Sequence, residues 1–418
     1  MLARIFSFAI NMYLLRVVDN DVLGLVNVRL FLLYNTVLFL VREPMRKANI
    51  LRASLPCFVN IIWLCPLISV TLSGFCILLW STFSSSHNVP LIIFLSFPFS
   101  AVIESIAEPF AVISLRYGID REALSSLYTL FGHSVLKQIM TDGSAYVMTF
   151  TELLSLKSQA VYDAVEKVGS LVARIVLAPI EEMCFAYFSN AIHQNSKVFD
   201  RSTDTYDSLV NNFTTILHVT SVVALVISVF GLPYSPLAVS VYGGNLLYDN
   251  GGATLLSLYC VYLSIMAVNG ITECFAMASM NNSQVLSHGG FLFISAFAHV
   301  CLSSILCSYF NAAGFIIANS VNMLFRIVYS WRHISSFLGD KRPSITNILP
   351  TTSTFVFLVF SLMATLFTLL IFGSTPGLSH TLAHAGIGGV LFVLVVAHIV
   401  STDHVFQLLT HRLEKYAP

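Results

Sequence analysis

The feature that most constrains this chain is the recurrence of apolar runs long enough to cross a bilayer. A helix needs about 20 apolar residues to span the hydrocarbon core. Such runs fall near residues 1–18, 22–41, 56–80, 89–115, 134–154, 161–192, 208–231, 252–278, 286–309, 311–332, 351–373 and 382–402. In a chain of 418 residues they leave no room for a soluble domain. Charged residues make up only 10% of the chain and apolar ones 56%, against about 25% charged in a soluble protein. The expectation is an all-α, polytopic membrane helix bundle of about twelve transmembrane helices. Lys plus Arg and Asp plus Glu number 21 each, so net charge gives no reason to expect a nucleic-acid partner. The eight cysteines lie singly in apolar runs, with no CxxC and no zinc spacing, and read as packing residues. The first run is interrupted by Arg16 and lacks a small-residue cleavage site, so it reads as a short span rather than a signal peptide.

Orientation follows from lysine and arginine in the short loops. Arg42, Arg46, Lys47 and Arg52 follow the second run, Arg116 and Arg121 the fourth, and Lys197 and Arg201 the sixth. Arg332, Lys341 and Arg342 follow the tenth, and Arg412 and Lys415 the last, with Lys157 the main exception. Even-numbered spans therefore end on the basic side, which places both termini in the cytosol. Leu232–Gly252, rich in Gly, Pro and Tyr, reads as a non-cytosolic connector. Residues 118–133 read as a linker between an N-terminal lobe, 1–117, with four spans, and a C-terminal lobe, 134–332, with six. Residues 333–418 add a cytosolic loop, two spans and a short tail. A weak internal echo lays 39–50 over 177–190, with Arg42-Glu43 opposite Glu181-Glu182.

The sixth run carries the sharpest question. In SLVARIVLAPIEE, Arg174 stands one to two turns from Glu181 and Glu182. On a regular helix Asp163, Lys167, Ser170, Arg174, Ala178, Glu181 and Phe185 form one stripe. Each charge near the bilayer centre costs about 3 kcal/mol on the insertion scale, so the stripe has to face protein or a wet cavity. Two readings follow. One is an ion-pair network that fixes packing. The other is a cavity lining in which Arg174 donates to a phosphate and the glutamates hold it in place. Pro179 is expected to kink the helix between these charges.

Other intramembrane polar residues extend the pattern: Asn27, Arg29 and Asn35; Glu104 and Glu108; Lys137 and Asp142; Asn269 and Glu273; Asn319, Asn322 and Arg326. Singly they read as packing contacts; together they read as a polar interior in both halves. His380 and His384 have ligand-like spacing without a third ligand, so no metal site is expected. Asp19-Asn20-Asp21 raises a glycosyltransferase reading, but no large lumenal loop accompanies it. No GxxxxGK[ST], GxGxxG or GxSxG occurs. Movement or shelter of something polar across a membrane is what remains, with no cofactor.

Several ordered blocks resemble the eukaryotic Rft family of endoplasmic-reticulum membrane proteins. They include VLGLVNVRLFLLYNTVLFLVREPMRKA (22–48), SAVIESIAEPF (100–110), SVLKQIMTDGSAYVMTF (134–150) and VYDAVEKVGSLVARIVLAPIEE (161–182). FGLPYSPLAVSVYGG (230–244), NGITECFAMASM (269–280) and GFIIANSVNMLFRI (314–327) complete the set. The family is linked to translocating the dolichol-diphosphate oligosaccharide used in N-glycosylation. It is similar to the multidrug/oligosaccharidyl-lipid/polysaccharide exporters, which implies two lobes around a central cavity. The chain departs from the family where two helices and a cytosolic stretch collapse into the linker.

The resemblance implies Arg174, Arg29, Arg42 and Arg16 as headgroup-binding residues. Glu181, Glu182, Glu43 and Arg46 would support the cavity or its gate, and the polar pattern itself adds Lys167, Glu273 and Arg326 to that role. The implied ligand is a lipid-linked oligosaccharide within the bilayer. The alternative is a non-transporting chaperone or scaffold that meets enzymes of the same pathway.

Overall fold

The computed structural model describes residues 12–50, 63–83, 95–106, 143–151, 153–194, 204–344, 348–372 and 377–407. The linker 118–133, Glu108, Lys137 and Asp142 lie outside them. No β-strand occurs among the described residues.

Helix α1 covers residues 12–17. Helix α2 runs from Asn20–Gly24 through a π-helical turn, Leu25–Leu30, into Phe31–Ile50. Helices α3 (Leu64–Phe83), α4 (Leu95–Ile106) and α5 (143–151) follow. Helix α6 likewise contains a π turn: Leu156–Val172, then Ala173–Leu177, then Ala178–Gln194. Then come α7 (Asp204–Asp249), α8 (Gly252–Ser279), α9 (Asn282–Phe310) and α10 (Ala313–Leu338). Helices α11 (Thr352–Phe372) and α12 (Leu378–Thr402) complete the order. By length and composition, seven of the described helices can cross a membrane: those at 21–42, 206–249, 252–279, 283–310, 313–341, 352–372 and 379–402.

The burial pattern itself argues for lipid surroundings. Along α11, Ser361 and Thr365 are fully buried, while Phe367 is 62% and Leu370 76% exposed. Water would drive the opposite arrangement; in lipid, small polar residues face inward and apolar ones outward.

The chain divides into two compact units. One comprises residues 17–163 and 289–315, the other 1–16, 164–288 and 316–418. In the first unit, Leu30, Val37 and Ala101 are fully buried in one cluster with Leu33, Leu38 and Cys76. Gly24 lies against the carbonyl of Leu156, where a Cβ would stand 2.0 Å from the oxygen. In the second, Phe188, Phe213 and Phe275 are fully buried, with ring centroids 4.3–6.0 Å apart. There Gly169 sits under the Tyr259 ring and Gly231 under the Cys260 sulfur, so α6 and α7 each approach α8 closely.

The connector expected over Leu232–Gly252 is instead helix. Helix α7 continues through Pro233 and Pro236 to Asp249, and departs from helical geometry at Gly244 (φ 60°, ψ −145°). Pro236 has no N–H to give to the carbonyl of Leu232. The hydroxyl of Ser257 on α8 lies 3.3 Å from that oxygen and supplies a donor, which is how membrane helices tolerate proline. Helices α11 and α12 dock on α7 through Val222, Val226, Leu358, Val395 and Ile399. His218 Nε2 lies 2.8 Å from Asp403 Oδ2, with both side chains buried.

Candidate functional site

The polar residues singled out above separate into distinct settings. In the first unit, Arg29 stands inside the π turn of α2 and is only 4% exposed. Its Nε donates to Gln159 Oε1 at 3.2 Å. The Gln159 amide donates in turn to the carbonyls of Met148 and Leu154, at 3.2 and 2.9 Å. Arg42 Nη2 lies 2.6 Å from Glu104 Oε1, and the Tyr34 hydroxyl donates to the other oxygen of that carboxylate. Glu43 and Arg46 follow on the same helix, their side chains outside the described residues.

In the second unit, Arg16 is exposed and donates to the carbonyl of Val241. Arg174 is exposed as well, the second residue of the π turn in α6. Its guanidinium folds back along its own helix. Nη2 donates to Ser170 Oγ at 2.9 Å and to the Lys167 carbonyl at 3.2 Å, and Nε to the Ser170 carbonyl at 3.3 Å. The expectation that Glu181 and Glu182 hold Arg174 is therefore corrected: no acidic side chain pairs with Arg174 among the described residues. The reason is the π turn. One inserted residue rotates everything after it by about 100°, which breaks the single stripe between Arg174 and Glu181. The irregularity of this helix is the π turn, which ends two residues before Pro179. The Lys167 side chain is half-buried, and Glu182 is exposed.

Glu181 points elsewhere. Its carboxylate lies over Gly270 of α8, where a Cβ would meet Oε1 at 1.9 Å. One turn further along α8, Glu273 pairs with Arg326 of α10, Nη2 to Oε2 at 2.5 Å. Those two side chains are only 20% and 16% exposed. Asn269 Nδ2 donates to Glu273 Oε2 at 3.1 Å, and His288 Nε2 of α9 lies 3.7 Å from Oε1. Glu273 repels and Arg326 attracts the Glu181 charge, so the carboxylates and the guanidinium act as one electrostatic cluster.

The structure thus joins Glu181, Glu273 and Arg326 and keeps Arg174 and Lys167 together on α6; Arg16 bonds Val241 in the same unit, and Arg29 and Arg42 have their partners within the first unit. Sequence reasoning missed Gln159, His288 and Gly270. Gln159 carries no charge, His288 is a lone histidine, and only the packed structure shows what lies over Gly270. His384 is engaged by Thr368 at 2.9 Å and stacked on Tyr234 at 4.3 Å.

The fold defines the class first. It is similar to that of the lipid II flippase MurJ in an inward closed conformation, with a TM-score of 0.54 at 13% identity, over 95% of this chain and 99% of that one. The chain is a polytopic membrane protein of that fold. The family model described as Rft protein matches residues 1–118 and 114–412. Two relatives are called Man(5)GlcNAc(2)-PP-dolichol translocation protein RFT1. The one from Caenorhabditis elegans is 47% identical over 99% of this chain and 97% of its own length. The one from Xenopus tropicalis is 27% identical over 99% and 94%. The chain belongs to the Rft protein family. An alignment of 504 residues against a chain of 418 requires long gaps in this chain. The family match restarts at residues 114–118, where the sequence had collapsed.

Proposed function

We propose that this protein moves a dolichol-diphosphate-linked oligosaccharide intermediate from the cytosolic to the lumenal leaflet of the endoplasmic-reticulum membrane, for protein N-glycosylation. The observation that carries the reading is near-complete alignment with a relative named for dolichol-diphosphate glycolipid translocation, on a fold matched over 99% of a lipid II flippase.

The physical need is plain. Each sugar hydroxyl taken bare into hydrocarbon costs about 2–7 kcal/mol, and the diphosphate costs more. A polar route that meets the headgroup while the polyprenyl chain stays in lipid removes most of that barrier. Arg174 suits the phosphate contact: it is exposed, and its present partners are a hydroxyl and two carbonyls of its own helix, weaker acceptors than a phosphate. Arg16 has a similar carbonyl-only contact. Glu273 and Arg326 belong to the same compact unit as Arg174 and support the cavity in this reading. Both termini lie in the cytosol in this reading.

One observation favours the second reading, a non-transporting scaffold for the same pathway. Arg29, Arg42 and Arg326 already have partners within their own units, as a purely structural network requires. Transfer of the diphosphate lipid between leaflets by the purified chain in liposomes tests the first reading against the second.

A further inference from the structure

Apart from the His288 imidazole, 3.7 Å from Glu273 Oε1, the cluster around Glu273 holds fewer permanent positive charges than carboxylates. Glu181 and Glu273 bring two carboxylates, while Arg326 brings one guanidinium whose Nη2 spans both oxygens of Glu273. Glu181 makes no side-chain hydrogen bond or ion pair among the described residues, although its carboxylate is packed on the α8 backbone at Gly270. Glu181 is half-buried, and an ionised carboxylate drawn partly out of water with no partner is favoured in its neutral form.

A second observation concerns the neighbouring residue. Asn269 is only 4% exposed and its Nδ2 donates to Glu273, yet its Oδ1 has no hydrogen-bond partner. A carboxylate accepts hydrogen bonds only; a carboxylic acid also donates. The helix α8 turn that Glu181 packs on therefore holds an orphaned acceptor, at Asn269, next in sequence to Gly270.

We propose that Glu181 is a proton-binding site, carrying one proton that balances the Glu181–Glu273–Arg326 cluster. Metal cations collect more oxygen ligands than Glu181 and Asn269 offer, which favours the proton. The groups facing Glu181 are Glu273 and Cys274 from α8 and Arg326 from α10, with His288 of α9 on the far partner, Glu273. Cys274 Sγ approaches the Glu181 carbonyl at 3.4 Å. On α10, Tyr329 packs against the His288 ring and His333 bonds Ser279. On α6 itself Glu182 is exposed and Cys184 buried. The nearby helix α7 has its Asp207 and His218 engaged with Lys341 and Asp403. If the glycolipid reading holds, a diphosphate arriving near Arg326 adds negative charge and strengthens proton binding, so headgroup and proton bind together.

Infrared spectroscopy of the full chain in phosphatidylcholine vesicles, titrated through neutral pH, tests the site without any transport. The expected result is a protonated-carboxyl carbonyl band that is lost in Glu181→Gln and kept in Glu182→Gln. Glu181→Gln also keeps the Tm at neutral pH, because a neutral amide replaces a neutral carboxylic acid. A band that survives Glu181→Gln, no titrating band in the unsubstituted chain, a band erased by sodium at fixed pH, or a lowered Tm each overturns the proposal. A normal titration with no lipid transfer leaves the proton site standing and removes the glycolipid reading alone.

Discussion

Glu273 of α8 and Arg326 of α10 meet through one nitrogen, Nη2, which lies 2.5 Å from Oε2 and 2.7 Å from Oε1. Removing one member of such a pair strands a buried charge, at about 3–5 kcal/mol. Glu273→Ala and Arg326→Ala should each lower the Tm in detergent and the yield of folded protein. The double variant should cost less than the two losses added, as a double-mutant cycle reads coupling. Additive losses would show that the two residues act independently.

Arg174 answers to a different test. It has no acidic partner to lose, so Arg174→Ala should leave abundance near normal. Losing a charge-assisted hydrogen bond weakens headgroup binding by about 1.5–3 kcal/mol, roughly tenfold or more. N-glycosylation in cells that depend on this chain should fall accordingly. Arg174→Lys, which keeps the charge but not the planar fork, should rescue only part. A collapse in abundance would assign Arg174 to packing instead.

Gly24 is a test of how the π turn of α2 is seated. A Cβ there would stand 2.0 Å from the Leu156 carbonyl oxygen, which is backbone and cannot swing aside. Gly24→Ala should destabilise by about 1–3 kcal/mol, as overpacking does. Gly74→Ala, with nothing within 4 Å of the added atom, is the matched control. Equal Tm values for the two would contradict the packing described for Gly24.

The buried pair His218–Asp403 ties the end of α12 to α7. Asp403→Ala leaves a buried imidazole short of a partner and should cost about 1–3 kcal/mol. Amide exchange should quicken at the end of α12 while the Phe188–Phe213–Phe275 core stays protected. Uniform quickening throughout the chain would show that this contact does not act locally.

Much of this architecture was legible because spanning helices are set by length and apolarity. The run read at 252–278 is helix Gly252–Ser279, and that read at 351–373 is Thr352–Phe372. The errors came where a local rule met a tertiary partner. Pro233, Pro236 and the glycines after them signal a connector, but the hydroxyl of Ser257, distant in sequence, helps keep α7 helical. The stripe from Asp163 to Phe185 assumed one regular helix, and the π turn at Ala173–Leu177 divides it. The Glu273–Arg326 pair was half visible: both residues stood out as intramembrane charges, but the choice of partner depends on how α8 packs beside α10.

The central claim is movement of the glycolipid itself. The direct measurement places the purified chain in liposomes containing a dolichol-diphosphate oligosaccharide and follows how much headgroup becomes accessible from the opposite leaflet. The account predicts transfer well above protein-free vesicles, reduced about tenfold by Arg174→Ala. Folded, inserted protein that leaves the headgroup on its original side would contradict it.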